Sequence, residues 1–103
     1  MSKYHAKPEY RDGIRFASGR EAKRYDQLKL LERAGEIKDL ALQPIYHIRI
    51  NGIKIGFYRA DFKYLDVKAG QWVTEDCKGF RTPLYRLKKR LVEALYGIEI
   101  KET

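Results

Sequence analysis

Apolar positions follow a helical period over one early stretch and a period of two over most of what comes after. Ala22, Tyr25, Leu28 and Leu31 recur at helical spacing, which predicts a helix over 19–34 with one stripe laid on a sheet. Ser18-Gly-Arg-Glu21 opens it as a capping box, in which the Ser18 hydroxyl accepts from a free N–H while Glu21 reaches back. Gly35 ends it. The pattern then alternates, predicting strands at Ile37–Leu42 and Ile45–Ile50 and a tight hairpin at Asn51-Gly52. The returning strand should run over 53–65, through Asp61, with a bend or bulge near Gly56. Ala69-Gly70 turns the chain into a strand over 71–78. Gly79-Phe-Arg-Thr-Pro83 breaks that strand before a helix over 84–96, closed by Gly97.

That second helix carries Leu84, Leu87, Leu91 and Leu95, a stripe expected to pack, and 98–101 alternates as a last strand. Residues 1–17 place Lys3, Lys7, Arg11 and Arg15 among Pro8 and Gly13 without periodicity, which predicts a loose basic arm ahead of a single domain over 18–103. The order of elements predicts an α/β sandwich built on a mixed sheet flanked by helices.

Composition narrows the partners. The 103 residues suit one core, and 44% hydrophobic with 35% charged residues is ordinary for a folded chain. A net charge of +8 favours polyanions, nucleic acid first. The lone cysteine, Cys77, makes no intramolecular disulfide and no cysteine-based zinc site, and no stretch approaches bilayer-spanning length. A cytoplasmic protein with no membrane partner is expected.

The candidate chemistry lies in Glu75-Asp-Cys-Lys78. Side chains two apart on a strand share a face, so Asp76 and Lys78 point one way and Glu75 and Cys77 the other. Asp61, 15 residues earlier on the expected neighbouring antiparallel strand, can lie beside Asp76. Paired carboxylates call for a cation, and oxygen ligands with room for water suit Mg²⁺ or Mn²⁺. Hydrolysis of a phosphodiester uses such a metal to polarise the phosphate and acidify water, with a lysine to stabilise developing charge or orient the nucleophile. Glu21 shares helical spacing with Tyr25 and Leu28, so its carboxylate should face the sheet as a third acid.

These residues carry a resemblance. A helical Glu21, then Asp61 in Tyr58-Arg-Ala-Asp-Phe62, then Asp76-Cys-Lys78-Gly79 before a helix, resembles the PD-(D/E)XK nuclease superfamily. The wider text, with Ser18-Gly-Arg-Glu21, Gln43-Pro44 and Thr82, is similar to small phage-encoded endonucleases, transposon end-cleaving nuclease subunits and, more distantly, phage Holliday-junction resolvases. The resemblance spans 18–100 and implies a restriction-endonuclease-like core, Mg²⁺ dependence and DNA cleavage. It assigns Asp61 and Asp76 as the motif acids, Lys78 as the motif lysine, Glu21 as the helical glutamate and the Cys77 carbonyl as a backbone metal ligand. Ala60 stands where the motif name has proline, at little cost because that proline ligates nothing.

Plainer explanations stand beside these. Glu21 can serve only the helix cap, and Asp76 with Lys78 only a surface ion pair. Cys77 should sit in the core, and His5 and His47 are too scattered for zinc. Arg81, Thr82, Arg86, Lys88, Lys89 and Arg90 follow the proposed site and could hold phosphates of DNA, or simply form a solvated face. Tyr58 and Tyr85 lie close enough in sequence to be base-stacking candidates, although a core role is simpler. A non-catalytic nucleic-acid-binding module and an RNA nuclease are the competing functions. Paired cuts at a junction would require a homodimer.

Overall fold

Which side of the central sheet each residue occupies is decided by alternation along one strand, Gln71–Asp76. The structure is a computed structural model that describes residues 7–78 and 80–103, so Lys3, His5 and Gly79 lie outside the described residues. In chain order the elements are β1 (Glu9–Arg11), β2 (Ile14–Phe16), α1 (Gly19–Arg33), β3 (Ile37–Leu42), β4 (Ile45–Ile50), β5 (Ile53–Arg59), β6 (Phe62–Asp66), β7 (Gln71–Asp76), α2 (Pro83–Tyr96) and β8 (Ile100–Glu102). The central sheet has the order β3-β6-β7-β8, antiparallel except for the parallel β7–β8 pair. It is the mixed sheet flanked by helices that the pattern predicts, and it is compatible with an α/β nuclease-like core.

One face of this sheet packs on α1. Ala22, Tyr25 and Leu28 from the helix meet Ile37, Phe62, Tyr64 and Cys77, and Phe16 from β2 completes the cluster. The other face carries Ile100, joined by Tyr46, Ile48, Tyr58 and Ala60 from the β4–β5 ribbon and by Tyr85 and Val92 from α2. Thr74 points to this side as well, bonded at 2.6 Å to the Tyr46 hydroxyl. Asp76, two residues on, is therefore placed on the α2 side, while Glu75 is placed under α1.

Three expectations are corrected. Residues 9–16 are not part of a loose arm: Asp12 (φ 53) and Gly13 (φ 75) adopt left-handed backbone that closes the β1–β2 hairpin, and Phe16 is buried against α1. The hairpin is tied down by Asp12, which accepts from the Tyr25 hydroxyl at 2.8 Å, and by Arg11, which reaches Asp26 at 3.0 Å.

The long strand over 53–65 is two strands. The expected irregularity near Gly56 is present, since Ile48 pairs with Gly56 but Arg49 with Lys54. A second break comes at Ala60-Asp61, where the Ala60 N–H turns to the Pro44 carbonyl and the Asp61 carbonyl accepts from Gln43. Asp61 thus sits in the gap between β5 and β6, not within a strand.

The leucine stripe of α2 is not its buried face. Leu84, Leu87 and Leu95 are 61%, 56% and 46% exposed, while Tyr85 and Val92 are buried and Leu91 only partly so. The aromatic wall of Tyr46 and Tyr58 receives Tyr85 and so rotates the helix away from its leucines; the Tyr58 and Tyr85 rings stand 6.3 Å apart.

Candidate active site

The break after β5 brings Asp61 to the end of β7. Its backbone N–H donates to the Glu75 carbonyl at 3.0 Å, and its Oδ2 accepts from the Cys77 N–H at 2.7 Å. Asp76 is fully buried next to it. Tyr58, on β5, donates its hydroxyl to Asp76 Oδ2. The other oxygen, Oδ1, is buried and accepts no hydrogen bond among the described residues; the Lys78 ammonium stands 3.4 Å from it. Burial, and next the facing Asp76 carboxyl, push Asp61 up to about 8, against the pull of the Cys77 N–H.

Glu21 reaches the same place from the first turn of α1. Ser18 Oγ accepts from the Glu21 N–H at 3.2 Å, so the cap forms, while the Glu21 side chain lines a cleft with Asp61 and has the Ala17 backbone beside its carboxylate. Burial raises the Glu21 carboxyl, opposed by Lys78 and reinforced by Asp76, so both charges lie within its electrostatic reach. A cleft of about 150 Å³ joins Glu21 to Asp61, with Arg15, Gln43 and Leu42 among its walls. Gln43 is held in left-handed backbone at φ 53, an uncommon conformation for this residue type. Arg15 and Gln43 were not legible as site residues, because their place depends on the β1–β2 hairpin and on the β3–β4 corner.

Lys78 is fixed from the opposite side. Its ammonium lies 4.8 Å from the centre of the Tyr85 ring, and the Tyr85 hydroxyl donates to Glu102 at 2.7 Å. Burial and the hydrogen bond to Asp76 raise the Tyr58 phenol far above the ordinary tyrosine range, so it is a donor throughout the accessible pH range. Tyr58 and Tyr85 are both buried and hold the acid and the lysine; they offer no exposed face for base stacking. Glu102, which had no motif to mark it, anchors Tyr85 and also accepts from Arg81 at 3.0 Å.

Glu75 is excluded from this cluster by geometry. It is fully buried on the α1 face, where Arg24 donates to both its oxygens at 2.7 Å and Tyr64 adds a third bond. Burial alone would raise its carboxyl, yet these bonds bring it below the ordinary range. Cys77 faces the same side. Its thiol is 3.1 Å from the Thr103 hydroxyl and is pushed up to about 11, chiefly by burial, which suits a packing role and not a nucleophile.

The basic residues around α2 divide by what they already touch. Arg81 pairs with Glu102 and Lys89 with Glu93 at 3.5 Å, while Lys88 lies over the Phe57 ring at 5.6 Å. The Thr82 hydroxyl caps α2 by accepting from the Tyr85 N–H at 3.0 Å. Arg86 is exposed and has no ion pair among the described residues.

Two neighbouring carboxyls, one with a buried oxygen that accepts no hydrogen bond among the described residues and lies 3.4 Å from a lysine, suit a hard divalent cation that would offset both. Among the described residues no three His, Cys, Asp or Glu side chains form a ready cage, so two acids would need a backbone oxygen, Glu21 or water to complete the shell. Among the described residues no helix is long and apolar enough to cross a membrane.

A family model described as protein of unknown function (DUF1064) matches residues 1–103, and the chain belongs to that family. No curated protein and no solved structure matches it.

Proposed function

We propose that the protein is a Mg²⁺-dependent endonuclease that hydrolyses DNA phosphodiester bonds in the cytoplasm, with Mn²⁺ an effective substitute. The observation that carries this is Asp76, fully buried beside Asp61, whose Oδ1 accepts no hydrogen bond among the described residues and has only the Lys78 ammonium, 3.4 Å away, to offset its charge. Burying a carboxylate oxygen that lacks a hydrogen bond is costly even beside one ammonium, and a bound cation would reduce the cost.

Asp61 and Asp76 would hold the metal, with the Cys77 carbonyl and Glu21 completing its protein ligands. When bound, Mg²⁺ supplies the charge that polarises the scissile phosphate and lowers the pKa of a water. Lys78 keeps its ammonium at the edge of the acid pair, where it orients that water and offsets negative charge developing on the phosphate. Asp61 keeps Cys77 in register through its N–H, and the buried tyrosines exclude bulk water from the inner side of the pair.

Arg86, with no ion pair among the described residues, would take a phosphate beside the scissile one, and Arg81, Thr82, Lys88 and Lys89 would contribute further phosphate contacts. The +8 net charge favours the encounter. One chain carries one such site, so paired incisions in branched, recombination or replication DNA would take a homodimer. Incubation with linear, flapped and four-way DNA in Mg²⁺ or EDTA tests the proposal. Metal-dependent scission is expected; salt-sensitive binding without scission would favour a non-catalytic DNA-binding module instead.

A further inference from the structure

Tyr58 divides the two oxygens of Asp76. Its buried hydroxyl donates to Oδ2, and nothing among the described residues donates to Oδ1. The phenol ring cannot drift, since it is walled by Tyr46 at 6.5 Å and Tyr85 at 6.3 Å between ring centres. The Lys78 ammonium stands 3.4 Å from Oδ1, so this oxygen carries an ion pair but no hydrogen bond among the described residues.

Resting on the metal-centre reading above, we propose that Tyr58 is a positioning residue that restricts Asp76 to one ligating oxygen and so biases the site towards Mg²⁺ over Ca²⁺. Ca²⁺ takes six to eight oxygens and readily accepts both oxygens of a carboxylate, whereas Mg²⁺ demands a tight octahedron with single-oxygen ligands and retained water. A carboxylate with one oxygen occupied by a phenol offers the second geometry and withholds the first. Such outer partners of metal ligands commonly change affinity by about 10- to 100-fold when removed.

Calorimetric titration of the metal-free full chain with Mg²⁺, Mn²⁺ and Ca²⁺ tests this without reference to cleavage. Tyr58→Phe, which removes only the hydroxyl, should weaken Mg²⁺ and Mn²⁺ about tenfold or more and weaken Ca²⁺ less, so the Mg²⁺/Ca²⁺ preference narrows. Tyr46→Phe is the control: it deletes an equally buried hydroxyl, bonded to Thr74 and not to Asp76. An unchanged preference in Tyr58→Phe, or an equal change in Tyr46→Phe, overturns the proposal. The wild type supplies a second measurement that needs no variant. Crystals loaded with Mn²⁺ should show Asp76 bound through Oδ1 alone with Tyr58 still on Oδ2, and two-oxygen binding by Asp76 overturns the assignment. If wild-type protein binds none of the three ions, the metal centre itself falls and takes this role with it, an outcome distinct from wild-type binding with an indifferent Tyr58.

Discussion

The backbone N–H of Cys77 donates to Asp61 Oδ2 at 2.7 Å, joining the break after β5 to the end of β7. One acid is thereby fixed against the peptide that follows the other. Burial outweighs this bond and holds the Asp61 carboxyl above its ordinary range.

Asp61 is protonated to a higher pH in the folded state than the 3.8 ordinary for aspartate, with a folded value of about 8. Ionising it therefore costs stability: its contribution is intact below the ordinary range and is lost as pH rises towards about 8. Asp61→Asn removes the charge and keeps an oxygen for the Cys77 N–H. In EDTA at pH 8 it should raise the melting temperature by several degrees, on the order of 1 kcal/mol, with little effect at pH 5. Mg²⁺ should raise the wild-type melting temperature at pH 8 and leave that of Asp61→Asn nearly unchanged. Thermal melts at both pH values check this.

On the opposite face, Arg24 and Glu75 form a buried pair with side chains 19% and 0% exposed. Arg24→Ala strands the Glu75 charge and should cost roughly 3–5 kcal/mol at pH 7. Because the folded Glu75 carboxyl lies below its ordinary 4.5, the pair contributes above that value and its contribution is lost as pH falls below it. Denaturant melts should accordingly show the cost of Arg24→Ala shrinking as pH falls from 7 towards 4.

The exposure of α2 sets a third expectation. Leu84→Ala should cost less than about 1 kcal/mol, whereas Val92→Ala should cost about 2 kcal/mol through its cavity. Urea midpoints distinguish the two, and equal losses would mean that the leucine stripe packs after all.

The alternation of Glu75-Asp-Cys-Lys78 was enough to separate Asp76 and Lys78 from Glu75, because a residue's face on a strand is a local property. The site of Asp61 was legible in its neighbours but not in its conformation. No glycine or proline lies between Arg59 and Phe62, and the break there is imposed by pairing with Gln43 and Pro44, a tertiary cause. The Asp12-Gly13 turn did carry a local signal, but three-residue strands on either side are too short for a period to show. The face of α2 was not legible because its leucines outnumber the two fully buried residues, Tyr85 and Val92; which side of an amphipathic helix is buried depends on the wall it meets. Arg24 and Glu102 had no motif to mark them, and Tyr58 was marked only as a neighbour of Asp61, since the partners of all three come from distant elements.

Arg86, exposed and without an ion pair among the described residues, should contact phosphate, so Arg86→Ala should weaken DNA binding across sequences and lower the salt slope by about 1. Lys89→Ala should change the slope less, its ammonium being paired with Glu93. Binding titrations over a salt series in EDTA give both slopes.

Single-turnover cleavage of four-way, flapped and linear DNA by wild-type protein and Asp76→Asn, in Mg²⁺ and in EDTA, decides whether the acid pair is a nuclease site. The prediction is scission of at least one substrate by wild type in Mg²⁺ alone, and in Asp76→Asn a loss on the order of 10³-fold or more with DNA still bound. Wild-type protein that binds DNA yet leaves every substrate intact, or Asp76→Asn cutting as fast as wild type, would contradict it.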